Sequence, residues 1–160
     1  MDILSVKIVK PDDVNVILGQ AHFIKTLEDL YEVIISTAPA MKFGLAFSEA
    51  SGACKIRTDG NDEELKKLAA ENSLKLSVGH SFLIMLKGGF PINILNQIKA
   101  TSEVCLVFAA TANPLDVIVA DNGAGRGILG VIDGFKPKGI ENDSDIIWRK
   151  DLLRKLGYKR

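Results

Sequence analysis

The segment Asp121–Gly134 constrains the fold most strongly, because it concentrates glycine between two runs of strand-forming residues. It holds five of the chain's 14 glycines. Apolar and β-branched residues dominate Val117–Ala120 before it and Ile128–Ile132 within it. Glycine permits the tight turns that join neighbouring strands. The pattern therefore predicts a hairpin whose turn exposes backbone N–H groups, a geometry suited to binding an anion.

The glycine spacing excludes two common nucleotide-binding motifs. Gly125-x-Gly127-x-x-Gly130 has the letters of the dinucleotide fingerprint, but that fingerprint needs a helix directly after the glycines. Here a strand is predicted instead. No glycine-rich loop ends in Gly-Lys-Ser or Gly-Lys-Thr, so the chain also lacks the phosphate-binding loop of the large NTPase class.

Continuous apolar segments supply other predicted strands. Phe82–Leu86 and Val104–Ala110 are apolar throughout, which is typical of strands that are covered on both faces or lie at a subunit interface. Together with four helical segments they give the element order ββαββαβαβββα. We predict one domain over residues 1–160, with the fold of a mixed α+β (α/β) sandwich that contains a mixed β-sheet of about eight strands and four helices.

Turn signals predict which strands pair. Pro11–Asp13 predicts a hairpin between Ser5–Lys10 and Asn15–Gly19. Ala50–Gly52 follows the strand Phe43–Phe47 and predicts that it forms a hairpin with the next extended segment, Lys55–Asp59.

Local signals also predict helix caps and one buried cysteine. Thr26, with Asp29 three residues later, predicts an acidic variant of the capping box at the first helix. Asn61 is predicted to cap the second helix, and Trp148 belongs to an apolar stripe on the last one. Cys105 lies in an apolar strand and is predicted to be buried and inert.

The charge balance excludes several function classes. Twenty Lys and Arg side chains are matched by 20 Asp and Glu, so no nucleic-acid partner is expected. No apolar run approaches the roughly 20 residues of a membrane span, and the first residues lack a signal-peptide pattern. We therefore expect a cytoplasmic protein without a membrane partner. The two cysteines and two histidines show no zinc-binding spacing.

The glycine-rich segment supplies the first candidate site residues. Arg126, between Gly125 and Gly127, offers a planar and permanently charged group that suits phosphate. Asp133 ends the following apolar strand and is a candidate catalytic carboxylate or magnesium ligand. A ligand-free hairpin loop is the alternative that the sequence leaves open.

Polar residues at other strand ends are further candidates. His22 and His80 each lie beside a predicted strand, where an imidazole can contact phosphate or act as an acid or base near neutral pH. Glu49 follows an apolar strand and could bind magnesium, hold a ribose hydroxyl or serve as a base. Each also fits a purely structural role.

Four more polar residues are weaker candidates for binding substrate. Lys25 precedes a helix N-terminus, where it could reach an anion. Gln20 precedes His22 at the end of the same predicted strand. Asn93 and Asn113 could bind a base or ribose, although asparagine beside proline often only stabilises a turn.

Several unusual segments, in one order and at one chain length, resemble the archaeal and bacterial adenosine-specific kinase family. The segments that carry the resemblance are Asn15–Thr26, Lys42–Gly52, Gly79–Phe82, Phe90–Asn93, Ala110–Pro114, Gly125–Gly134 and Leu152–Tyr158. The resemblance implies a small, cytoplasmic, homo-oligomeric α/β protein, with a trimer or hexamer possible. It also implies binding of adenosine or AMP and phosphoryl transfer from ATP or another nucleoside triphosphate, with Mg²⁺.

The candidate residues can be assigned roles in that reaction. Arg126 and the neighbouring N–H groups would hold phosphate. Glu49 or Asp133 would hold magnesium or accept the hydroxyl proton, His22 or His80 would contact the phosphate, and Asn113 would contact the nucleoside. Two alternatives stay open: a non-catalytic adenine-nucleotide sensor or carrier, and a hydrolase or isomerase acting on another phosphorylated metabolite.

Overall fold

The computed structural model describes residues 1–160 and contains eight strands, four α-helices and one 3₁₀ turn. In chain order these are β1 Asp2–Lys7, β2 Asn15–Ala21, α1 Thr26–Thr37, β3 Lys42–Ser48, β4 Ile56–Gly60, α2 Glu63–Leu76, β5 Ser81–Lys87, the 3₁₀ turn Pro91–Asn93, α3 Leu95–Ala100, β6 Val104–Thr111, β7 Leu115–Asp121, β8 Arg126–Asp133 and α4 Asp143–Lys155. This is the predicted order, and the mixed α+β class is confirmed.

The strands form two sheets. One has five strands in the order β4-β3-β5-β2-β6, and the other has three in the order β1-β7-β8. Every pairing is antiparallel. The predicted hairpins β3–β4 and β7–β8 are both present.

The predicted hairpin between β1 and β2 is wrong. β1 pairs with β7, so that Ser5 lies opposite Ile118, whereas β2 pairs with β5 and β6 in the other sheet. The Pro11–Asp13 turn therefore passes the chain from one sheet to the other. A turn signal marks a change of direction, but pairing with a strand more than 100 residues away is decided by tertiary packing.

The five-stranded sheet is covered on both faces. Helices α1 and α3 pack on one face, where Leu30, Ile34 and Ile98 are buried. Helix α2 and the three-stranded sheet pack on the other, where Leu65 and Val117 are buried. Strands β3 and β5 lie in the middle of this arrangement, which explains their continuous apolar sequences.

The capping box predicted for α1 does not form. Lys25 takes the N-cap position, and no side chain caps the helix. The hydroxyl of Thr26 donates a hydrogen bond to the carbonyl of Phe23 at 2.7 Å, and Asp29 forms an ion pair with Lys25 at 2.8 Å.

The cap of α2 is one residue later than predicted. Asp62 Oδ1 accepts a hydrogen bond from the N–H of Leu65 at 3.0 Å. Asn61 instead binds the neighbouring chain: its side chain accepts from the N–H of Phe43 at 2.9 Å and donates to the carbonyl of Met41 at 2.8 Å. Two adjacent residues had suitable side chains, and the tertiary contact decided between them.

Two parts of the chain leave apolar surface exposed. Strand β6 is an edge strand, so Cys105 is exposed and the prediction that it is buried is wrong. Helix α4 has no buried residue, and Trp148 in its apolar stripe is 66% exposed. None of the helices combines the length and apolar character that a membrane crossing requires.

Candidate functional site

The strand order brings three predicted site residues to one end of the large sheet. Strands β2 and β3 flank β5, and both run antiparallel to it. Their carboxyl ends therefore meet the amino end of β5, which places His22, Glu49 and His80 at the same edge. Backbone hydrogen bonds hold this arrangement, since the N–H of His80 donates to the carbonyl of Ser48 at 2.7 Å.

A cavity of about 420 Å³, here called the histidine cavity, opens at this edge. It is lined by His22, Phe23, Ile24, Phe47, Glu49, Ala50, Ser51 and His80. The His80 imidazole stacks on Phe47, with ring centroids 5.9 Å apart. His22 and His80 form hydrogen bonds through their backbone groups, so both imidazoles are available to a ligand.

A second cavity of about 620 Å³, here called the arginine cavity, lies beside the first. It is lined by Ser48, Glu49, Ala50, Cys54, Lys55, Ile56, Leu74, Ser77, Val78, Gly79, Ala124, Gly125 and Arg126. Glu49 and Ala50 belong to both cavities and form their shared wall. Gly79 allows this wall to pack closely, because a Cβ there would lie 2.9 Å from that of Ala50.

Backbone strain is concentrated around the two cavities. Phe23, Cys54, Ser77 and His80 are the four residues other than glycine with positive φ, and every one lines a cavity. Non-glycine residues with positive φ cost free energy and tend to persist at functional sites. This distribution supports treating the paired cavities as the functional site.

Glu49 is held firmly at the shared wall. One carboxylate oxygen, Oε2, accepts a hydrogen bond from the backbone N–H of Lys55 at 2.8 Å. The other, Oε1, accepts from Arg57 Nε at 2.9 Å and lies 2.8 Å from its Nη2. The backbone hydrogen bond from Lys55, followed by the contact with Arg57, lowers the pKa of Glu49 below its ordinary value. Glu49 is therefore an ionised hydrogen-bond acceptor near neutral pH.

Arg126 lines the arginine cavity, but the protein already occupies most of its donors. Its Nε donates to Asp121 Oδ2 at 2.8 Å, and its Nη1 donates to the carbonyls of Lys75 and Leu76 at 3.2 and 3.3 Å. These contacts fasten the β7–β8 turn to the end of α2. The Arg126 guanidinium, and then the N–H of Gly123, lower the pKa of Asp121.

The glycine-rich turn also satisfies its own backbone. Asp121 Oδ1 accepts from the N–H of Gly123, and Asn122 Oδ1 accepts from those of Ala124 and Gly125. An anion at this turn would have to compete with these side chains. Three of the backbone N–H groups in the turn that the sequence predicts to bind phosphate, those of Gly123, Ala124 and Gly125, are therefore already in use.

Lys25 is engaged by two carboxylates rather than by an open site. Its Nζ lies 2.8 Å from Asp29 Oδ2 and 2.8 Å from Oε1 of the buried Glu103. Hydrogen bonds to Asp29 and then Glu103 raise the pKa of Lys25, and the same contact with Lys25 lowers that of Asp29. Lys25 thus anchors the start of α1 next to the histidine cavity.

Asp133 and Asn113 lie away from both cavities. Asp133 Oδ1 accepts from Thr111 Oγ1 at 2.7 Å and from Asn113 Nδ2 at 3.1 Å. Arg126 and Asp133 stand at opposite ends of β8, and an eight-residue strand is roughly 23 Å long. Within one chain, Asp133 and Asn113 therefore form a separate turn cluster.

Asn93 and Gln20 also line neither cavity. Asn93 Oδ1 accepts from the N–H of Phe90 at 2.8 Å and stabilises the 3₁₀ turn, as expected for an asparagine near proline. Gln20 is an exposed residue of β2, paired with Ser81 on one side and Leu106 on the other.

The candidate carboxylates do not form a metal-binding cage. No group of three or more His, Cys, Asp or Glu side chains is arranged to hold a metal ion. Glu49 and Asp133 lie in different places, and each already accepts hydrogen bonds. The residues present thus do not fit a protein-built site for Mg²⁺.

The sequence interpretation missed several residues that line the cavities, including Phe23, Phe47, Lys55 and Ser77. It also missed Arg57, which touches Glu49. The positive φ angles of Phe23 and Ser77 have no sequence signature. Only Arg57 had a usable signal, since a predicted β3–β4 hairpin places it close to the residues that follow β3.

The fold and the site together define a small, antiparallel, two-sheet α+β protein with a composite cavity at its strand ends. A comparison with protein families matches residues 6–159 to the family described as adenosine specific kinase. The chain belongs to this family, so the resemblance seen in the sequence is confirmed.

A solved structure shows the same fold. The chain is similar to the PH1918 protein from Pyrococcus horikoshii OT3, known from a crystal structure, with 42% sequence identity and a TM-score of 0.95. The similarity covers 99% of this chain and 98% of that one. A comparison with curated proteins found no match.

Proposed function

We propose that the protein phosphorylates adenosine to AMP, with ATP or another nucleoside triphosphate as the phosphate donor. The main observation behind the proposal is that Glu49 and Ala50 line both cavities. The two cavities are therefore adjacent, and their linings differ in chemistry. A transfer reaction needs two substrates to meet at one point. The family membership supports adenosine as the acceptor.

The arginine cavity would hold the nucleoside. Ile56, Leu74 and Val78 give it apolar surface for a purine ring, and Ser77 and Lys55 add polar groups. Arg126 would mainly shape this cavity, because its Nε and Nη1 already bind the protein and only Nη2 is left to reach a ligand.

The histidine cavity would hold the phosphoryl groups. His22 and His80 present imidazoles that can donate to phosphate oxygens. Phe23 and Ile24, which also line this cavity, lie just before α1, so the positive end of that helix dipole adjoins it.

Glu49 would accept the hydrogen bond, and then the proton, of the adenosine 5′-hydroxyl. The hydroxyl oxygen forms a bond to the terminal phosphorus of the donor while the bond from that phosphorus to the bridging oxygen breaks. AMP and a nucleoside diphosphate are the products. In phosphoryl transfer the protein mainly positions the reactants and stabilises charge, so an ionised acceptor with a lowered pKa is adequate.

Mg²⁺ would enter with the triphosphate, because this ion commonly binds through substrate phosphates together with few protein ligands. We propose no set of protein side chains as ligands of Mg²⁺. Asp133, Asn113, Asn93 and Gln20 have no role in the proposed site within one chain, and Lys25 acts only by holding the start of α1.

Purified protein incubated with adenosine, ATP and Mg²⁺ tests the proposal, with AMP formation followed by chromatography. We expect AMP to accumulate, and EDTA to stop its formation. Absence of AMP above a control without protein, while adenosine or AMP still binds, would contradict the kinase assignment.

A non-catalytic adenine-nucleotide sensor is the second candidate. It is favoured by the self-satisfied glycine-rich turn and by the lack of a metal-binding cluster. Thermal-shift titrations with adenosine, AMP, ADP and ATP distinguish the two. Stabilisation by AMP without any turnover supports the sensor.

We also propose that the protein works as a homo-oligomer in the cytoplasm. Helix α4 buries none of its residues, and the edge strand β6 exposes Cys105 and Leu106. An unpacked helix with an apolar stripe and an uncovered edge strand are features of subunit interfaces. Light scattering on the native protein and on Trp148→Glu tests the assembly, and a monomeric native protein would contradict it.

A further inference from the structure

We propose that Arg57 is a positioning residue, which holds the Glu49 carboxylate at the wall shared by the two cavities. The inference rests on the proposed function in one respect: it takes Glu49 to be the group that meets the substrate hydroxyl. Arg57 lines neither cavity, so it would act only through Glu49.

The contacts of Arg57 decide which oxygen of Glu49 faces a ligand. Arg57 Nε and Nη2 both approach Oε1, at 2.9 and 2.8 Å. Nε donates a hydrogen bond to Oε1, and the positively charged Nη2 lies against the same oxygen. Oε2 accepts only the N–H of Lys55, so it keeps one acceptor position. Arg57 therefore holds Oε1, and Oε2 is the oxygen left for the substrate.

The backbone places the guanidinium accurately. Arg57 lies in β4 directly opposite Phe47 in β3, and the N–H of Glu49 donates to the carbonyl of Lys55 at 3.0 Å. Both ends of the Arg57–Glu49 contact are therefore tied to the same hairpin. The hairpin therefore fixes the distance between the two backbones, and the side-chain contact fixes the carboxylate.

The exposure of the pair argues for a functional role. The side chain of Arg57 is 43% exposed, and that of Glu49 is 12% exposed. A partly exposed ion pair adds little to folding stability. Loss of Arg57 should thus leave the fold intact while it frees the Glu49 side chain to rotate.

A double-mutant cycle with Arg57→Ala and Glu49→Ala tests the inference, measured as kcat/KM and as the thermal shift caused by adenosine. We expect Arg57→Ala to lower kcat by about 10- to 100-fold with less than a threefold change in KM, because misplacing a reacting group costs rate by roughly this amount. In the Glu49→Ala background the same change should have no further effect. Additive losses would overturn the proposal.

Rescue experiments separate positioning from a structural role. Added guanidinium should restore part of the activity of Arg57→Ala but none of that of the double variant. Arg57→Lys should stay impaired, because an ammonium group lacks the planar guanidinium that brings both Nε and Nη2 against Oε1. The matched control is Lys67→Ala, which removes a cation from an exposed ion pair on α2 and should keep the native activity.

Full activity in Arg57→Ala would refute the inference.

The two proposals can fail separately. If the native protein makes no AMP, the kinase assignment fails, and the coupling is then measured on the Glu49 carboxyl group by NMR titration. A higher pKa of Glu49 in Arg57→Ala than in the native protein would still support the contact, and an unchanged pKa would reject it. Circular dichroism on every variant confirms that the fold is retained.

Discussion

The two cavities share one wall but differ in whether protein partners already occupy the hydrogen-bonding side chains that line them. In the arginine cavity, Arg126 is bound to Asp121 and to two carbonyls at the end of α2. In the histidine cavity, the hydrogen bonds of His22 and His80 are made by the backbone, which leaves both imidazoles available. A cation inside a glycine-rich turn is thus not by itself an anion site. What matters is whether its donors are already occupied.

Substitution of Glu49 should have the largest effect, because Glu49 belongs to both cavities. Glu49→Gln keeps the size of the side chain but removes its charge, and we expect kcat to fall by roughly 100-fold or more, as for loss of an acid–base group. Steady-state assays of AMP formation measure it. Glu71→Gln, on the exposed surface of α2, is the control, and equal activities of the two variants would remove Glu49 from the mechanism.

Substitution of the histidines should weaken AMP binding more than adenosine binding. We expect His22→Ala and His80→Asn each to reduce AMP affinity about 10-fold, corresponding to one hydrogen bond to a charged group of about 1.5 kcal/mol. Asparagine is chosen at position 80 because it tolerates the positive φ there. Isothermal titration calorimetry with both ligands gives the ratio. Equal losses for AMP and adenosine would place the phosphate elsewhere.

Substitution of Arg126 should affect stability and both ligands equally. Arg126→Ala removes three hydrogen bonds that join the β7–β8 turn to Asp121 and α2, so we expect the free energy of unfolding to fall by about 1–3 kcal/mol. Urea denaturation and calorimetry measure the two effects. A selective loss of AMP binding would show that the phosphate binds at the glycine-rich turn and not in the histidine cavity.

Substitution of Gly125 should have the smallest effect. Gly125 does not have a positive φ, and a Cβ there meets no atom within 4 Å. We therefore expect Gly125→Ala to leave stability and both affinities within about 0.5 kcal/mol of native, like other surface substitutions. A marked loss of AMP affinity would show that phosphate approaches this turn closely. Gly79→Ala is the contrasting variant, since its Cβ would crowd Ala50 in the shared wall.

Much of the fold was predictable because its signals are local. Apolar runs gave the strands, and turn residues gave the hairpins β3–β4 and β7–β8. The pairing of β1 with β7 was missed, because no local pattern reports a partner so distant in the sequence. The cap of α2 was missed because Asn61 and Asp62 both suit an N-cap and a tertiary contact decided between them. The cap of α1 was missed because no side chain caps that helix, and Asp29 pairs with Lys25 instead.

The candidate site was only partly predictable. A polar residue next to a predicted strand was the signal that selected His22, Glu49 and His80. The order of the strands in the sheet then places these three residues at one edge. Asp133 met the same criterion at the end of β8, yet it faces Thr111 and Asn113 instead. A position at a strand end selects candidates, but it does not say which strand ends meet.

The sequence by itself determined the order of the elements, the class of the fold and the family to which the chain belongs, because these depend on residue patterns along the chain. Only the tertiary structure decided the use of each polar group. In the tertiary structure, Arg126 and the N–H groups of Ala124 and Gly125 bind protein partners, and Arg57 contacts Glu49. Hydrogen-bond partners depend on atoms brought together from distant positions, and a residue's type does not reveal them.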